Sequence, residues 1–347
     1  MRLRFVTATP LDVRRGSGTY VGIQVLARAL TSLGHTVEFE TPHVHLPVFT
    51  LERLLFNRSL RRSDAFDVSV GFDMDGYRIA DVASLKGVIA DEARFERGLT
   101  RFTMGIQAAR ERLHAQRARL VLATSRYSAA RAREFYGLST EPTIVPELID
   151  LQEWRRALEA YPASPERFTV LFVGRFYRRK RVDLVLRAAA ALRSRIPELA
   201  VRIVGNGPCR AMLHSLSREL RLEGTVTWLG DVSRSDLARE FNRCTWFCLP
   251  SVQEGFGIVL LEAMAAGKPI VAARAAAIPE TAPHAVLVEP ESAEELAAGI
   301  ESLYRSPEAR AQQSAAGLAW VERFDAPVVA RMFLEAVARA TATCTSG

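Results

Sequence analysis

Short apolar segments alternate with amphipathic helical segments along most of this chain, and this alternation limits the possible folds more than any other feature. In the first half, segments typical of strands lie at residues 3–7, 36–39, 68–70, 87–90, 120–123 and 143–145. Segments with helical periodicity lie between them, including 21–33, 100–117 and 126–136. Strands that alternate with helices form parallel sheets covered by helices. The first half is therefore expected to be a doubly wound α/β domain.

The same alternation begins again in the second half. Strands are expected near residues 169–173, 201–204, 225–229, 246–249, 269–272 and 285–288. Within residues 154–167, the segment Tyr161-Pro162-Ala163-Ser164-Pro165 is typical of a linker. A chain of 347 residues is long enough for two domains. We therefore expect an α/β protein with two Rossmann-like doubly wound domains, at residues 1–160 and 161–325, facing across a ligand cleft.

The distribution of charge excludes some classes of function. The formal net charge is +7, and the excess is spread over both halves, which argues against a nucleic-acid-binding stripe. It suits an anionic small molecule and permits peripheral contact with an anionic membrane. No apolar run approaches the roughly 20 residues that cross a bilayer, and the N-terminus leads directly into a strand. We expect a cytoplasmic protein, with the inner membrane face as a peripheral location.

The clearest functional signal is the segment Glu254-Gly255-Phe256-Gly257-Ile258-Val259-Leu260-Leu261-Glu262. A buried strand precedes it and an apolar helix continues it, so its glycine turn would direct backbone N–H groups at an anion. Glu262 lies early in that helix and is suited to accept hydrogen bonds from hydroxyl groups. An anion together with several hydroxyls indicates a sugar nucleotide. For this motif alone, a helix start with a solvent-facing glutamate is an equally acceptable interpretation.

Two cations follow the first strand of the second half, in Gly174-Arg175-Phe176-Tyr177-Arg178-Arg179-Lys180. Arg175 would lie at the carboxyl end of the strand, where ligands bind in such sheets. Lys180 follows at the entry to a helix. Together the two side chains could neutralise a departing diphosphate. A solvated basic turn is the alternative.

Glycine turns follow two further strands. Gly205-Asn206-Gly207-Pro208 forms a tight turn with a proline placed to begin a helix. The segment Gly16-Ser17-Gly18 resembles a phosphate loop but lacks the full spacing of a dinucleotide-binding motif or a P-loop. Both turns suit close approach of the backbone to a ligand, and a purely structural turn is the alternative for each.

A metal site is not expected. Asp73 and Asp75 have the Asp-x-Asp spacing that can hold a divalent ion, but no other ligand set lies near them in the sequence. A role facing the acceptor suits this pair better, because it follows a strand. His43 and His45 lie near two prolines without a third ligand. The cysteines also lack zinc-binding spacing, and we expect reduced thiols.

Residues 51–62 carry the large apolar side chains Leu51, Leu54, Leu55 and Phe56 together with four arginines. This composition permits a basic amphipathic helix that touches a membrane. A helix docked on the surface of its own domain is the preferred interpretation, because such helices are more common.

Taken in order, the motifs of the second half resemble the retaining glycosyltransferases of family four, within glycosyl transferases group 1, which have the GT-B fold. The resemblance covers about residues 170–325. It rests on Val173-Gly174-Arg175 with Lys180, on Val204 to Pro208, on Leu249-Pro250-Ser251, on Glu254 to Glu262, on residues 263–270 and on Ile278-Pro279-Glu280. The first half is similar more loosely, through residues 16–18 and 123–128.

The resemblance implies roles for individual residues. Arg175 and Lys180 bind the donor diphosphate, Glu254 contacts the transferred sugar, and Glu262 holds the ribose hydroxyls. The remaining donor-binding positions are Gly16, Gly18, Gly174, Gly205, Asn206, Gly207, Gly255, Phe256, Gly257, Ile258 and Val259. The resemblance implies no metal and no other cofactor, because two cations and a helix N-terminus supply the charge stabilisation. It also implies that the N-terminal domain faces the acceptor and that a final helix, within residues 326–347, crosses back onto it.

The N-terminal half departs from the family pattern. Family members often carry a histidine after a strand there, whereas the comparable stretch here is Val88-Ile89-Ala90-Asp91-Glu92. Asp91 is the candidate replacement, and Asp73 and Asp75 stay open as alternatives. At the linker, Glu147-Leu148 replaces the usual Asn-Gly, while Asp150 is retained.

The sequence therefore predicts a retaining transferase that moves a sugar from a nucleoside-diphosphate sugar to an acceptor hydroxyl. Its expected catalytic residues are Arg175, Lys180, Glu254 and Asp91. Two alternatives stay open: a sugar-nucleotide epimerase of the same fold, and a non-catalytic subunit that binds a sugar nucleotide. The sequence does not specify the sugar, the base, the acceptor (glycan, lipid or small molecule) or the oligomeric state.

Overall fold

A computed structural model describes residues 1–9, 18–43, 46–161 and 168–342. The chain forms two compact units, and each has its own core. Unit 1 contains Met1–Leu148 and Phe324–Gly347, and unit 2 contains Ile149–Arg323. The division after Leu148 precedes the expected boundary at residue 160, and the C-terminal helix belongs to unit 1.

Unit 1 is built on a parallel sheet. Its strands are β1 (Arg2–Val6), β2 (Thr36–Glu40), β3 (Val68–Phe72), β4 (Val82–Leu85), β5 (Leu120–Ala123) and β6 (Thr143–Ile144). Its helices are α1 (Gly18–Ser32), α2 (Phe49–Ser59), α3 (Ile89–Glu92), α4 (Gly98–Arg117), α5 (Arg126–Tyr136) and α14 (Ala326–Ala342). The strand order is β2-β1-β3-β4-β5-β6.

The core of unit 1 explains why the C-terminal helix lies there. Helix α14 packs on α1, and it contributes Phe333 to the same cluster as Phe5 and Phe72. The ring of Phe5 meets those of Phe72 and Phe333 edge to face, with centroids 5.1 and 6.2 Å apart. Because all three rings are buried, removal of α14 would expose part of this core.

Unit 2 repeats the architecture. Its strands are β7 (Thr169–Val173), β8 (Ala200–Val204), β9 (Val226–Gly230), β10 (Trp246–Leu249), β11 (Ile270–Ala273) and β12 (Val286–Val288). Its helices are α6 (Leu151–Glu159), α7 (Val182–Leu192), α8 (Arg210–Glu219), α9 (Arg234–Arg243), α10 (Ile258–Ala265), α11 (Ile278–Thr281), α12 (Ala293–Arg305) and α13 (Pro307–Val321). The strand order is β12-β11-β10-β7-β8-β9.

The expected fold class is confirmed, because both sheets are parallel and both units are Rossmann-like. Within the part of the chain that the structure describes, no helix combines the length and apolarity needed to cross a bilayer. The start of the expected linker is helical: Asp150 caps α6 by accepting a hydrogen bond from the Glu153 N–H at 2.8 Å, and Trp154 in that helix is fully buried. Residues 162–167 lie outside the described residues.

The strand expected at residues 87–90 is wrong. Residues 89–92 form the short helix α3, and the strand of this region is β4, which pairs with β3 and β5. A short apolar run such as Val88-Ile89-Ala90 has no periodicity that separates a buried strand from a helix. Strand β4, whose side chains are small or apolar and all buried, lies between β3 and β5 in the sheet.

Candidate functional site in unit 2

The sheet of unit 2 reverses its order at β7. The chain runs outward from β7 through β8 to β9, and then returns to place β10 on the other side of β7. The loops after β7 and β10 therefore lead away from adjacent strands in opposite directions, which opens a crevice outside the carboxyl ends of the strands. Residues 174–181 and 250–257 follow these two strands, so the fold brings the expected donor residues of these two loops to one place.

Two glycines let the loops after β7 and β8 touch through their backbones. Gly205 has a φ of +123°, and a Cβ there would overlap the carbonyl oxygen of Gly174. A Cβ on Gly207 would lie 2.6 Å from the backbone nitrogen of Phe176. The Phe176 N–H donates to the Asn206 carbonyl at 2.9 Å. The expected positions Gly174, Gly205 and Gly207 thus lie where the two loops touch, and a side chain at Gly205 or Gly207 would displace backbone.

The two loops at the sheet reversal are joined by an ion pair. The Nζ of Lys180 lies 2.6 and 2.7 Å from the two carboxylate oxygens of Glu254. The Lys180 and Glu254 side chains are 16% and 8% exposed, so both are largely desolvated but reachable by water. Beside them, Arg179 donates to the Gln253 side chain at 3.0 Å. Two residues that the sequence assigned to one site are therefore in contact.

Arg175 differs from Lys180 in having no partner. Its side chain is partly exposed, and within the described residues no group accepts a hydrogen bond from its guanidinium. A partly exposed cation without a carboxylate partner retains its donors for a ligand.

Helix α10 begins directly after the glycine turn. Gly257 caps it with a φ of +91°, a conformation that favours glycine. The first turn, at Ile258 and Val259, has no earlier helical carbonyl to bond, so its N–H groups and the helix dipole favour an anion. The Phe256 side chain is 5% exposed and packs inward, so this residue can reach a ligand only through its backbone.

Glu262 lies in the second turn of α10, but it does not face open solvent. It is 7% exposed, and one carboxylate oxygen accepts a hydrogen bond from Arg234 of α9 at 2.6 Å. The Arg234 guanidinium lies over the Trp154 ring at 4.4 Å, and the Trp154 indole donates to the Glu262 carbonyl at 3.0 Å. The sequence interpretation missed Arg234 and Trp154, because neither lies in a motif and Trp154 had been placed in the linker.

The candidate residues of unit 1 are arranged differently. Gly16 lies outside the described residues, and Gly18 is the first residue of α1. Asp91 lies in α3 and is 1% exposed. Its carboxylate accepts hydrogen bonds from the Tyr127 hydroxyl at 2.6 Å and from Arg94 at 3.2 Å. This carboxylate is therefore held by its own unit.

Asp75 belongs to a buried polar network. Its carboxylate accepts hydrogen bonds from Arg53 at 2.9 and 3.1 Å, from Asn57 at 3.0 Å and from the Ala8 N–H at 2.8 Å. The Arg53 and Asp75 side chains are 6% and 0% exposed. Both oxygens are saturated by protein donors, so Asp75 is a structural residue that ties the loop after β3 to α2 and to the loop after β1.

Three further titratable groups of unit 1, Asp73, His114 and Glu111, have shifted pKa values. Burial raises the pKa of Asp73 to about 6 and lowers the pKa of His114 to about 4. Burial also raises the pKa of Glu111, and the nearby Asp73 adds to that shift. Among the described residues no group of three metal-binding side chains is present, so the Asp-x-Asp pair gains no ligand set from the fold.

Glu147, which stands where the family usually has Asn-Gly, also has a structural partner. Its carboxylate pairs with Lys86 at 3.1 Å, and the two side chains are 3% and 6% exposed. Removal of one partner from a buried ion pair of this kind destabilises the fold, because the other charge is left buried without a counter-ion. The substitution at the linker is therefore matched by a cation on the segment after β4.

Comparison with known proteins finds similarity to glycosyltransferases. The family model described as glycosyl transferases group 1 matches residues 155–320. The D-inositol 3-phosphate glycosyltransferase of Mycobacterium marinum is 37% identical over 46% of this chain. That match spans about a third (36%) of the relative's own length.

Solved structures match over nearly the whole chain. Sucrose-phosphate synthase from Thermosynechococcus elongatus has a TM-score of 0.79 and 19% identity, and the match covers 99% of this chain and 100% of that one. The Anabaena protein HepE, solved with UDP and glucose, has a TM-score of 0.73 and 19% identity, with 98% and 100% covered. At such identities the likeness shows the fold alone. The motifs of the second unit and the family model thus agree in the similarity of residues 155–320 to glycosyl transferases group 1.

Proposed function

We propose that the protein transfers a sugar from a nucleoside-diphosphate sugar to an acceptor hydroxyl, with retention at the anomeric carbon and without a metal ion. The observation that carries the proposal is the Lys180–Glu254 pair at the sheet reversal, beside the start of α10. The relatives support the donor class: the Mycobacterium marinum protein is named a glycosyltransferase, and HepE was solved with UDP and glucose.

Donor binding would exchange the Lys180–Glu254 pair for contacts with the ligand. The diphosphate attracts the Lys180 ammonium and the Arg175 guanidinium, while sugar hydroxyls donate to Glu254. The first turn of α10 adds N–H groups for phosphate oxygens. Because each charge exchanges one partner for another, neither is left desolvated and unpaired, which would be strongly unfavourable.

The proposed chemical step takes place on one face of the sugar. The bond between the anomeric carbon and the leaving phosphate oxygen breaks, and a bond to the acceptor oxygen forms on the same face. The acceptor's proton passes to an oxygen of the departing nucleoside diphosphate. Negative charge develops on that diphosphate, where Lys180 and Arg175 stabilise it.

The nucleoside end is assigned to Glu262. Arg234 occupies Oε1 of this carboxylate, which leaves Oε2 to accept a hydrogen bond from a ribose hydroxyl. Arg234 and Trp154 would act as positioning residues, since they hold the carboxylate and the backbone of Glu262 without needing to touch the ligand.

A thermal-shift screen tests the donor site. We expect one nucleoside diphosphate and its sugar conjugate to raise the melting temperature in the presence of EDTA, because binding to the native state alone stabilises it. Glu262→Ala should weaken the binding of this nucleotide about tenfold or more. Arg234→Gln should weaken it by about threefold, because this variant loses one hydrogen bond that positions Glu262. Glu294→Ala, an exposed glutamate on α12, is the control. No shift with any nucleotide would remove the donor assignment.

The stereochemistry needs a separate measurement. Once a donor is known, transfer to a panel of hydroxyl acceptors can be followed by proton NMR of the anomeric signal. A product with the anomeric configuration of the donor is expected, and an inverted product would contradict the proposed same-face step.

The burial of Asp91 supports a second candidate function. Its carboxylate is bound by Tyr127 and Arg94, and these bonds would keep it from taking the place of the usual histidine. A subunit that binds the sugar nucleotide without transferring the sugar would have this property. Donor binding without transfer or hydrolysis under any acceptor condition would favour it over the transferase.

A further inference from the structure

Two short segments of unit 1 carry an unusual group of exposed apolar side chains. At the start of α2, Phe49, Leu51 and Leu55 are 39%, 48% and 51% exposed, and Val48 before them is 54% exposed. At the start of α4, Leu99 and Phe102 are 76% and 67% exposed. Scattered exposed apolar residues are normal in proteins, whereas a group of this size marks an interaction site.

Hydrogen bonds join the two helices into one surface. Gln107 of α4 donates to the Thr50 hydroxyl of α2 at 2.8 Å, and Arg53 of α2 donates to the Gln107 side chain at 2.9 Å. Arg53 is in turn held by the buried Asp75. Helix α2 is therefore docked on unit 1, as the preferred sequence interpretation expected, and its outer side chains are presented on a fixed scaffold.

The exposed charges of these segments have one sign. Residues 48–62 and 94–102 contribute six exposed ionisable side chains, and all are arginines: Arg58, Arg61, Arg62, Arg94, Arg97 and Arg101. The carboxylates of the same segments, Glu52 and Glu96, are each only 7% exposed. We call residues 48–62 and 94–102 the apolar–arginine surface.

We propose that the apolar–arginine surface binds the surface of a bilayer that contains anionic lipids. Protruding phenylalanine and leucine side chains insert at the boundary of head groups and acyl chains, and the surrounding arginines bind lipid phosphates. The absence of exposed carboxylates in these segments suits a uniformly negative surface better than a protein partner with charges of both signs. The inference stands on unit 1 alone and does not depend on the donor site.

The test is co-sedimentation of the full chain with vesicles of phosphatidylcholine, alone or mixed with phosphatidylglycerol, at low and high salt. Binding to the anionic vesicles that weakens at high salt is expected. Leu99→Ser with Phe102→Ser should lower partitioning about tenfold or more, since two apolar side chains no longer insert at the boundary of the acyl chains. Arg58→Gln with Arg97→Gln and Arg101→Gln should lower it about tenfold or more on anionic vesicles, since three cations no longer attract the lipid phosphates.

Matched controls separate this surface from general stickiness. Met212→Ser with Met332→Ser removes exposed apolar side chains elsewhere, and Arg187→Gln with Arg218→Gln and Arg331→Gln removes exposed arginines elsewhere. Both controls should bind anionic vesicles like the wild type, and thermal melts should show that every variant is folded. The proposal is overturned if the wild type ignores anionic vesicles, if the surface variants bind as well as the controls, or if Leu99 and Phe102 support self-association without vesicle binding.

Discussion

The two sheets reverse their strand order at corresponding places, but the charged groups there have different partners. In unit 2 the reversal lies between β7 and β10, where Lys180 and Glu254 pair at 16% and 8% exposure and Arg175 has no partner within the described residues. In unit 1 it lies between β1 and β3, where Arg53 and Asp75 pair at 6% and 0% exposure and Asn57 and Ala8 complete the network. Among the described residues, the charges at the reversal of unit 1 are therefore already paired inside the protein, whereas the reversal of unit 2 includes a cation that a ligand can reach.

A binding site needs charges that can change partners, and the two units differ in this respect. A carboxylate with every lone pair satisfied inside the protein has no reason to accept a ligand, and removal of one partner leaves a buried charge. A pair at the rim of a crevice can separate when a ligand replaces both contacts. Three substitutions test this difference between the two units.

The largest effect is expected for Asp75→Ala. Removal of this carboxylate leaves the Arg53 guanidinium buried without its counter-ion, so the free energy of unfolding should fall by about 3–5 kcal/mol. Urea denaturation measures this change. Asp64→Ala, at an exposed position of the same unit, should change it by less than about 0.5 kcal/mol. An Asp75→Ala protein as stable as the wild type would show that the network is not structural.

A large effect on turnover, with a smaller one on stability, is expected for Lys180→Ala. Loss of a cation that stabilises the departing diphosphate should lower kcat about 100-fold or more. The fold should be destabilised less than by Asp75→Ala, because water can reach Glu254 through the space of the Lys180 side chain, which is 16% exposed. Steady-state kinetics with the donor from the nucleotide screen measures the first quantity, and urea denaturation the second. Arg187→Gln, on the exposed face of α7, is the control, and unchanged turnover in Lys180→Ala would remove this residue from the mechanism.

The smallest effect is a change in pH dependence at Asp73→Asn. The folded-state pKa of Asp73 is raised from 3.8 to about 6 by burial, so its contribution to stability is present at low pH and is lost as the pH rises from about 4 through 6. His114 acts in the opposite direction: its pKa is lowered from 6.5 to about 4, so its contribution is present above pH 6.5 and is lost as the pH falls through 4.

Asparagine keeps an oxygen for the Lys86 N–H, which Asp73 accepts at 2.8 Å, and it tolerates the φ of +53° at this position. The variant should therefore gain stability over the wild type as the pH rises from about 4 to 6, and the difference should level off above that range. Urea denaturation of both proteins at several pH values in this range measures the difference in their free energies of unfolding. A difference that does not vary with pH would show that Asp73 does not titrate there.

Much of the donor site was accessible from the sequence, because its residues follow strands directly. The alternation of strand and helix patterns predicted the bounds of β7, β8 and β10 to within about two residues. A residue that follows a parallel strand lies at the carboxyl end of that strand, where ligands bind. Arg175, Lys180, Glu254 and the glycine turns were therefore placed without three-dimensional information. The roles assigned to them stay predictions until they are measured.

Which polar groups are bound by the protein itself depends on contacts between residues that are distant in sequence. Arg234 meets Glu262 across 28 residues of sequence, and Trp154 meets the same residue across 108. Asp75 and Asp73 look alike in sequence, but only Asp75 is saturated by Arg53 and Asn57. The apolar–arginine surface likewise needs two helices that are distant in sequence. Helical and strand periodicity depend on neighbouring residues and can be recognised in the sequence. These contacts depend on the order of the strands in the sheet, which no short-range sequence pattern specifies.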